Sequence, residues 1–368
     1  MRLPRVSFKN IYLDNCIVQG GMGVGVSLYL LAGAVAKQGG LGIISSAGLN
    51  EIVSKRDGKI VDIYTAVRIE IEKAKSISGG KGAIGINAMV ALIDDYEDTI
   101  RAAIDAGADA IISGAGLPLR LPSIQPLGHT ALIPIVSSAR ALELIVKKWE
   151  RDGYRPDTVV LEGPLAGGHL GFRYEAINNP ASKLEKLLPP VLEVASRHGN
   201  FPIIVAGGIY THEDIIKFLA MGARGVQMGT RFLVTKESSA TYAYKQAVIS
   251  ATEDDILVVS PPEVTPASPC GLPFRLLKSS PAYTVKRTPN CCRGYLLRNG
   301  ICKAADDNDY FCVCSELMSS AGYAPKEPEL YTVGANAYRI KNEIPSLAEL
   351  PSVAELMSEL RGETSKAE

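Results

Sequence analysis

The sequence predicts an α/β chain folded as a (β/α)8 TIM barrel with an additional C-terminal segment. Three observations lead there. Eight short apolar runs, at 16–20, 41–45, 83–87, 110–113, 133–137, 158–162, 202–206 and 225–229, alternate with helical patterns. The runs are continuously apolar, the mark of parallel strands covered on both faces. The eight units also fit within about 250 residues, the usual size of such a barrel. An open doubly wound sheet is the rival. It loses ground because no Gly-x-Gly-x-x-Gly follows the first run and no acidic residue stands where a ribose would need one.

The first run ends in Gln19-Gly20-Gly21-Met22-Gly23. From Asn15 to Ala36 the chain carries no charge, which is enough length to span a bilayer. Five glycines interrupt that stretch, so a strand, a glycine loop and a buried helix over 27–37 account for it better. After the second run a helix is predicted over 62–76. The third run ends in Gly85-Ile86-Asn87 and leads to a helix over 96–106. The fourth ends in Ser113-Gly114-Ala115-Gly116, and the prolines of the 117–130 connection argue against a helix there. The fifth ends in Ser137-Ser138 before a helix over 139–151. The sixth ends in Glu162, followed by Ala166-Gly167-Gly168-His169 and a helix over 183–197. The seventh ends in Ala206-Gly207-Gly208-Ile209. Thr211 and Asp214 then supply an N-cap and an acidic first turn to a helix over 212–221. The eighth ends in Gln227-Met228-Gly229-Thr230.

Beyond residue 252 the texture changes. Pro261, Pro262, Pro266, Pro269 and Pro273 mark an irregular linker, a cysteine-bearing segment follows, and a last helix is predicted over 352–361. The expected division is therefore a barrel over 1–252 and, over 253–368, a proline- and cysteine-rich linker with a C-terminal helical segment packing on the barrel.

Composition limits the function. Apolar residues make up 46% of the 368 residues and charged ones 21%, so a large core is available. Lys plus Arg equals Asp plus Glu at 39 each, and no basic excess points to nucleic acid or an anionic membrane. The first residues lack an apolar h-region, so no signal peptide is read and a cytoplasmic location is expected. Of the seven cysteines, Cys16 stands alone and six fall in the last hundred residues. Reduced thiols are expected in that setting. Cys291, Cys292, Cys302, Cys312 and Cys314 are the weak candidates for a metal, and without a C-x-x-C pair the reading is no metal.

Function in such a barrel sits where strands end and the following loops begin. Glycine closes six of the eight ends, which bares the backbone for close approach by a large ligand. The seventh and eighth ends, followed by a helix start, match the usual phosphate position. There the N–H groups of Gly207, Gly208, Gly229 and Thr230 would hold a dianion. Asn87 and Met22 face the same mouth and suit the edge and face of a polar ring. A phosphate plus such a ring suggests flavin mononucleotide. Among the four histidines, only His169 follows a strand on a loop stripped of side chains. An imidazole there would move the proton that accompanies hydride chemistry.

These motifs resemble the nitronate monooxygenase (2-nitropropane dioxygenase) family, which includes the FMN-dependent enoyl-ACP reductases. The likeness runs in order over about residues 10–235 and rests on five separate strand ends. It implies FMN lined by Gly21, Met22, Asn87, Glu162, Gly167, Gly168, Ala206, Gly207, Gly208, Gln227, Met228, Gly229 and Thr230. His169 would be the catalytic base or the group that orients substrate. Ser268-Pro269-Cys270-Gly271-Leu272-Pro273 and Gly334-Ala335-Asn336-Ala337-Tyr338-Arg339 resemble longer members. Glu162 stands where many nitronate monooxygenases have glutamine and reductase-like members often have glutamate. The loop over 149–156 is longer than usual, and the short members lack the cysteine-rich tail. The implied activity is oxidation of alkyl nitronates with O2. The alternatives are an NAD(P)H-dependent enoyl-ACP or quinone reductase, and a non-catalytic flavin-binding sensor. The expected partner is a small-molecule substrate (nitronate, enoyl thioester or quinone), with a homodimer as an admissible assembly.

Overall fold

A computed structural model describes residues 2–285, 288, 293–296 and 301–363. Eight parallel strands close a barrel: β1 (Ile17–Gln19), β2 (Leu41–Ser45), β3 (Ala83–Met89), β4 (Ala110–Gly114), β5 (Ala131–Val136), β6 (Val159–Glu162), β7 (Ile203–Ala206) and β8 (Gly225–Met228). Each strand pairs with its sequence neighbours, and β8 closes on β1. Every apolar run of the sequence became one of these strands. The reason is burial on both faces: Ile43, Ile44, Ile111, Ile112, Val160 and Leu161 are fully buried.

The helices that cover the barrel are α1 (Tyr29–Lys37), α2 (Leu49–Asp57), α3 (Ile63–Ser78), α4 (Ile93–Asp105), α5 (Ala139–Arg151), α6 (Leu184–Arg197), α7 (His212–Ala220), α8 (Thr230–Leu233) and α9 (Tyr242–Ser250). Helix α2 is an addition to the sequence reading. It buries only Leu49, Ile52 and Val53, one turn's worth of apolar face, which gives periodicity little to detect. The 117–130 connection holds only a short 3-10 turn, Leu121–Ser123. The last helix spans Val353–Leu360 and is closed at its start by a Ser352–Glu355 capping box. Among the described residues no helix is long and apolar enough to cross a membrane.

A hairpin of Val6–Phe8 and Ile11–Leu13 lies at the amino ends of the strands, where Lys9 Nζ donates to the Thr130 carbonyl at 2.6 Å, just ahead of β5. At the other end the later chain builds a feature the linear pattern did not announce. β9 (Ile256–Val259) pairs antiparallel with β10 (Phe274–Leu277), and β10 pairs in turn with the two-residue strand Gly168–His169. The loop after β6 is thus the edge of a small sheet whose other strands lie beyond residue 252.

Candidate functional site

A cavity of about 1100 Å3 opens at the carboxyl ends of the barrel strands. It is at the upper end of the size that encloses a cofactor or a drug-sized ligand. All the residues singled out by sequence line it: Gly21, Met22, Asn87, Glu162, Gly167, Gly168 and His169 from the first, third and sixth ends, and Ala206, Gly207, Gly208, Gln227, Met228, Gly229 and Thr230 from the last two.

The loop after β7 shows why glycine is needed. Gly207 and Gly208 have φ of 92° and 86°, a pair of left-handed residues that turns successive N–H groups outward as an anion nest. The N–H groups of Gly207, Gly208, Gly229 and Thr230 make no hydrogen bond among the described residues. The start of α7 does not share this role. Asp214 Oδ2 accepts from the N–H groups of Tyr210 at 2.9 Å and Thr211 at 3.0 Å, and Thr211 Oγ1 accepts from Asp214 N–H. That helix start is self-capped and acidic, so the short α8 is the one facing the cavity.

A strap from the late chain seals this corner. Gly334 N–H donates to Thr230 Oγ1 at 2.9 Å, and Ala335 N–H donates to the Leu165 carbonyl at 3.0 Å. Asn336 Nδ2 donates to the Gly208 carbonyl at 2.7 Å. The approach is close enough that a Cβ on Gly167 would sit 2.5 Å from the Val333 carbonyl carbon. Arg231 anchors the same corner. Its buried guanidinium reaches Glu343 at 3.1 Å and Glu359 at 2.8 Å, and lies 4.5 Å from the Tyr210 ring centroid. Arg231 belongs to the Gln227–Phe232 motif that resembles the family, whereas Glu343 and Glu359 carried no motif, and only the fold joins the three as a cluster.

His169 Nε2 lies 2.6 Å from Ser268 Oγ, and that hydroxyl oxygen also accepts from Cys270 N–H at 3.3 Å. The Phe274 ring meets the imidazole edge-on with centroids 4.7 Å apart. Burial pushes the His169 pKa down to about 4. That shift favours the neutral ring at pH 7. The other histidines serve structure. His129 approaches the Gly107 carbonyl, His198 approaches Glu150, and His212 Nδ1 lies 2.9 Å from the Leu360 carbonyl oxygen.

Ser268 and Arg275 enter the site without having been singled out for it. Arg275 is buried, and its guanidinium donates to the carbonyls of Pro164 at 2.7 Å and Ala166 at 2.5 Å. It thereby braces the loop that carries Gly167, Gly168 and His169. Desolvation lowers its pKa to about 10, which leaves it charged at neutral pH. The available signal was an arginine inside an otherwise apolar run, Phe274-Arg275-Leu276-Leu277.

Two further polar groups face the cavity. Glu162, at the end of β6, makes no hydrogen bond or ion pair among the described residues, and burial alone pushes its pKa up to about 7. Gln227 Oε1 is buried without a hydrogen-bond partner among the described residues. Behind the first glycine loop, Gln19 Nε2 donates to Ser27 Oγ at 2.9 Å and its Oε1 accepts from Ile43 N–H at 3.1 Å, which fixes the turn under Met22.

Among the described residues no group of three or more His, Cys, Asp or Glu side chains is arranged to hold a metal. Cys291 and Cys292 lie outside the described residues. Cys302 and Cys312 are buried, and Cys314 lines the cavity with Cys270.

These features define a class: a (β/α)8 barrel with a glycine-lined pocket at the carboxyl ends of its strands. Similarity to known proteins narrows it. Residues 6–360 match the nitronate monooxygenase family, and the chain belongs to that family of oxidoreductases. The Probable nitronate monooxygenase of Bacillus subtilis (strain 168) is 28% identical over 263 residues, covering 67% of this chain and 74% of the relative. The (3aS,4S,5R,7aS)-5-hydroxy-7a-methyl-1-oxo-octahydro-1H-indene-4-carboxyl-CoA dehydrogenase of Mycobacterium tuberculosis (strain ATCC 25618 / H37Rv) is 29% identical over 280 residues, covering 76% of this chain and 67% of the relative. In fold the chain is similar to FabK from Thermotoga maritima, with a TM-score of 0.63 and 23% identity over 95% of this chain and 93% of that one. It is also similar to a nitroalkane oxidase from Streptomyces ansochromogenes, with a TM-score of 0.62 and 22% identity over 95% of this chain and 97% of that one.

Proposed function

We propose that the protein is an FMN-dependent oxidoreductase that oxidises alkyl nitronates with O2, and that it forms them from nitroalkanes by proton removal. The observation that carries this is the joining, in one cavity, of an N–H nest at Gly207–Gly208 and Gly229–Thr230, unpaired among the described residues, with a half-buried imidazole at His169 whose pKa is lowered. The residues fit the cofactor. The nest suits a phosphate, the orphaned Gln227 Oε1 needs a donor such as a ring N–H, and the volume admits a flavin with a small substrate beside it. When bound, FMN would supply the electron transfer that links substrate to oxygen.

The chain's own residues do the rest. Gly207, Gly208, Gly229 and Thr230 would hold the phosphate, and the strap through Gly334 and Asn336 braces that corner. Met22 and Asn87 bound the ring. The Ser268 Oγ contact with Nε2 fixes the plane of the imidazole, and in the tautomer that carries its proton on Nε2 the Ser268 oxygen accepts and Nδ1 is the base. Nδ1 takes the proton from the carbon beside the nitro group. The His169 pKa near 4 means the base is ready at neutral pH and is lost only in acid.

A second reading is favoured by Glu162 and by the cavity volume: NAD(P)H-dependent reduction of an enoyl thioester or a quinone. One experiment separates the readings. The purified protein is reconstituted with FMN and mixed without oxygen, first with an alkyl nitronate and separately with NADH or NADPH. Bleaching by the nitronate alone supports the oxygenase, and bleaching by the pyridine nucleotide alone supports the reductase. A protein that retains no FMN refutes both.

A further inference from the structure

The register of three adjacent strands sets two unsatisfied polar groups side by side. Ala206 of β7 is level with Glu162 of β6 on one side and Gln227 of β8 on the other. In a parallel ladder, level residues point to the same face, and all three side chains line the cavity. Ala206 is the one residue between them in that register. Among the described residues the buried Gln227 Oε1 has no partner, and neither has the Glu162 carboxyl. Folded proteins rarely leave a buried polar atom unmade, so Gln227 points to a ligand that completes it, and the Glu162 carboxyl lines the same cavity beside it.

The chemistry of the pair restricts that ligand. An ionised Glu162 would offer only acceptors beside the Gln227 acceptor, a poor match for a ring edge that itself carries carbonyl oxygens. A protonated Glu162 offers one donor beside one acceptor. We propose that Glu162 binds the ring as a protonated acid, its O–H donating to an acceptor on the ring edge while Gln227 Oε1 accepts from a neighbouring N–H of the same edge. The ligand class is a heteroaromatic ring with adjacent acceptor and N–H donor, such as the pyrimidine edge of FMN. The inference rests on the flavin reading above.

The surroundings leave Glu162 as the proton-holding group. β5 and β7, which flank its strand, carry no titratable side chain. The cavity wall also carries His169, held by Ser268, and Arg231, paired with Glu343 and Glu359. Tyr210 and Tyr244 also face it, and burial raises the pKa of both phenols above the ordinary range. Arg173, Glu175 and Glu263 line the cavity from exposed positions, and the Cys270 and Cys314 thiols line it from the late chain. The Glu162 carboxyl itself sits near half-protonation at neutral pH.

The test is FMN binding, read by quenching of flavin fluorescence, for wild type and Glu162→Gln from about pH 6 to about pH 9. Both proteins share any effect of phosphate titration, so the difference between their curves isolates Glu162. Wild-type affinity should fall about tenfold per pH unit above the carboxyl pKa relative to the variant, whose amide keeps a donor at every pH. Parallel curves overturn the inference and leave the flavin reading intact. No FMN binding at any pH by either protein overturns both. A second measurement needs no variant: FMN binding to wild type in mildly alkaline buffer should add the carbonyl stretch of a protonated carboxylic acid to the infrared difference spectrum. A difference spectrum without that band also overturns the inference.

Discussion

Replacing Glu162 with glutamine should make the flavin-free protein more stable in alkali and leave it nearly unchanged in acid. The magnitude follows from the carboxyl's shift from 4.5 to about 7 on folding, caused by burial alone. At about 1.4 kcal/mol per pH unit, that is an upper bound of about 3 kcal/mol, which water in the cavity reduces. The sign follows from proton binding. The folded chain holds this proton more tightly than the unfolded chain does. The cost of ionising Glu162 is therefore absent below its ordinary value, grows as pH rises, and is complete once pH passes about 7. The assay is urea unfolding of both proteins at about pH 5, about pH 7 and about pH 8, with the difference in unfolding free energy plotted against pH. The expected difference is near zero at the acid end and favours the variant by up to about 3 kcal/mol at the alkaline end. A difference that stays flat with pH, or one that grows toward acid, would refute a buried carboxyl without a partner.

Three further outcomes are expected. Arg275→Met strips the Pro164 and Ala166 carbonyls of their donor, and should cost about 2–4 kcal/mol in urea unfolding and weaken FMN binding, with Arg275→Lys falling between. Ser268→Ala removes the 2.6 Å bond to His169 and should lower kcat about tenfold with little change in KM for a nitroalkane, the acid limb of the pH profile moving as well. Gly167→Ala places a methyl 2.5 Å from the Val333 carbonyl carbon, so the strap must shift; the cost should be about 1–3 kcal/mol, seen as a lower thermal midpoint and faster loss of FMN from the holoprotein.

The barrel was legible because its signal is local. Eight apolar runs need only hydropathy and spacing to declare themselves, and the glycine ends follow from what a tight backbone turn permits at Gly207 and Gly208. The residues that complete the site were less visible because their partners are far away in sequence. Ser268 lies 99 residues from His169, and Arg275 is 111 residues from Pro164. No periodicity links such positions, and one sequence contains only the faint sign of a charge in an apolar strand. The protonation of His169 was hidden for a related reason. An imidazole's ordinary pKa belongs to water, and its desolvation by Phe274 and the late chain emerges only with packing. Helix α2 was missed because one turn of buried residues is too little pattern.

The strap also constrains when the pocket can be finished. Gly334 reaches back 104 positions to Thr230, and Asn336 reaches back 128 to Gly208. During synthesis the eight strands leave the ribosome first, so a nascent barrel can exist with its anion nest still unguarded. The order of translation therefore sets when residues 334–336 can reach the loops after β7 and β8.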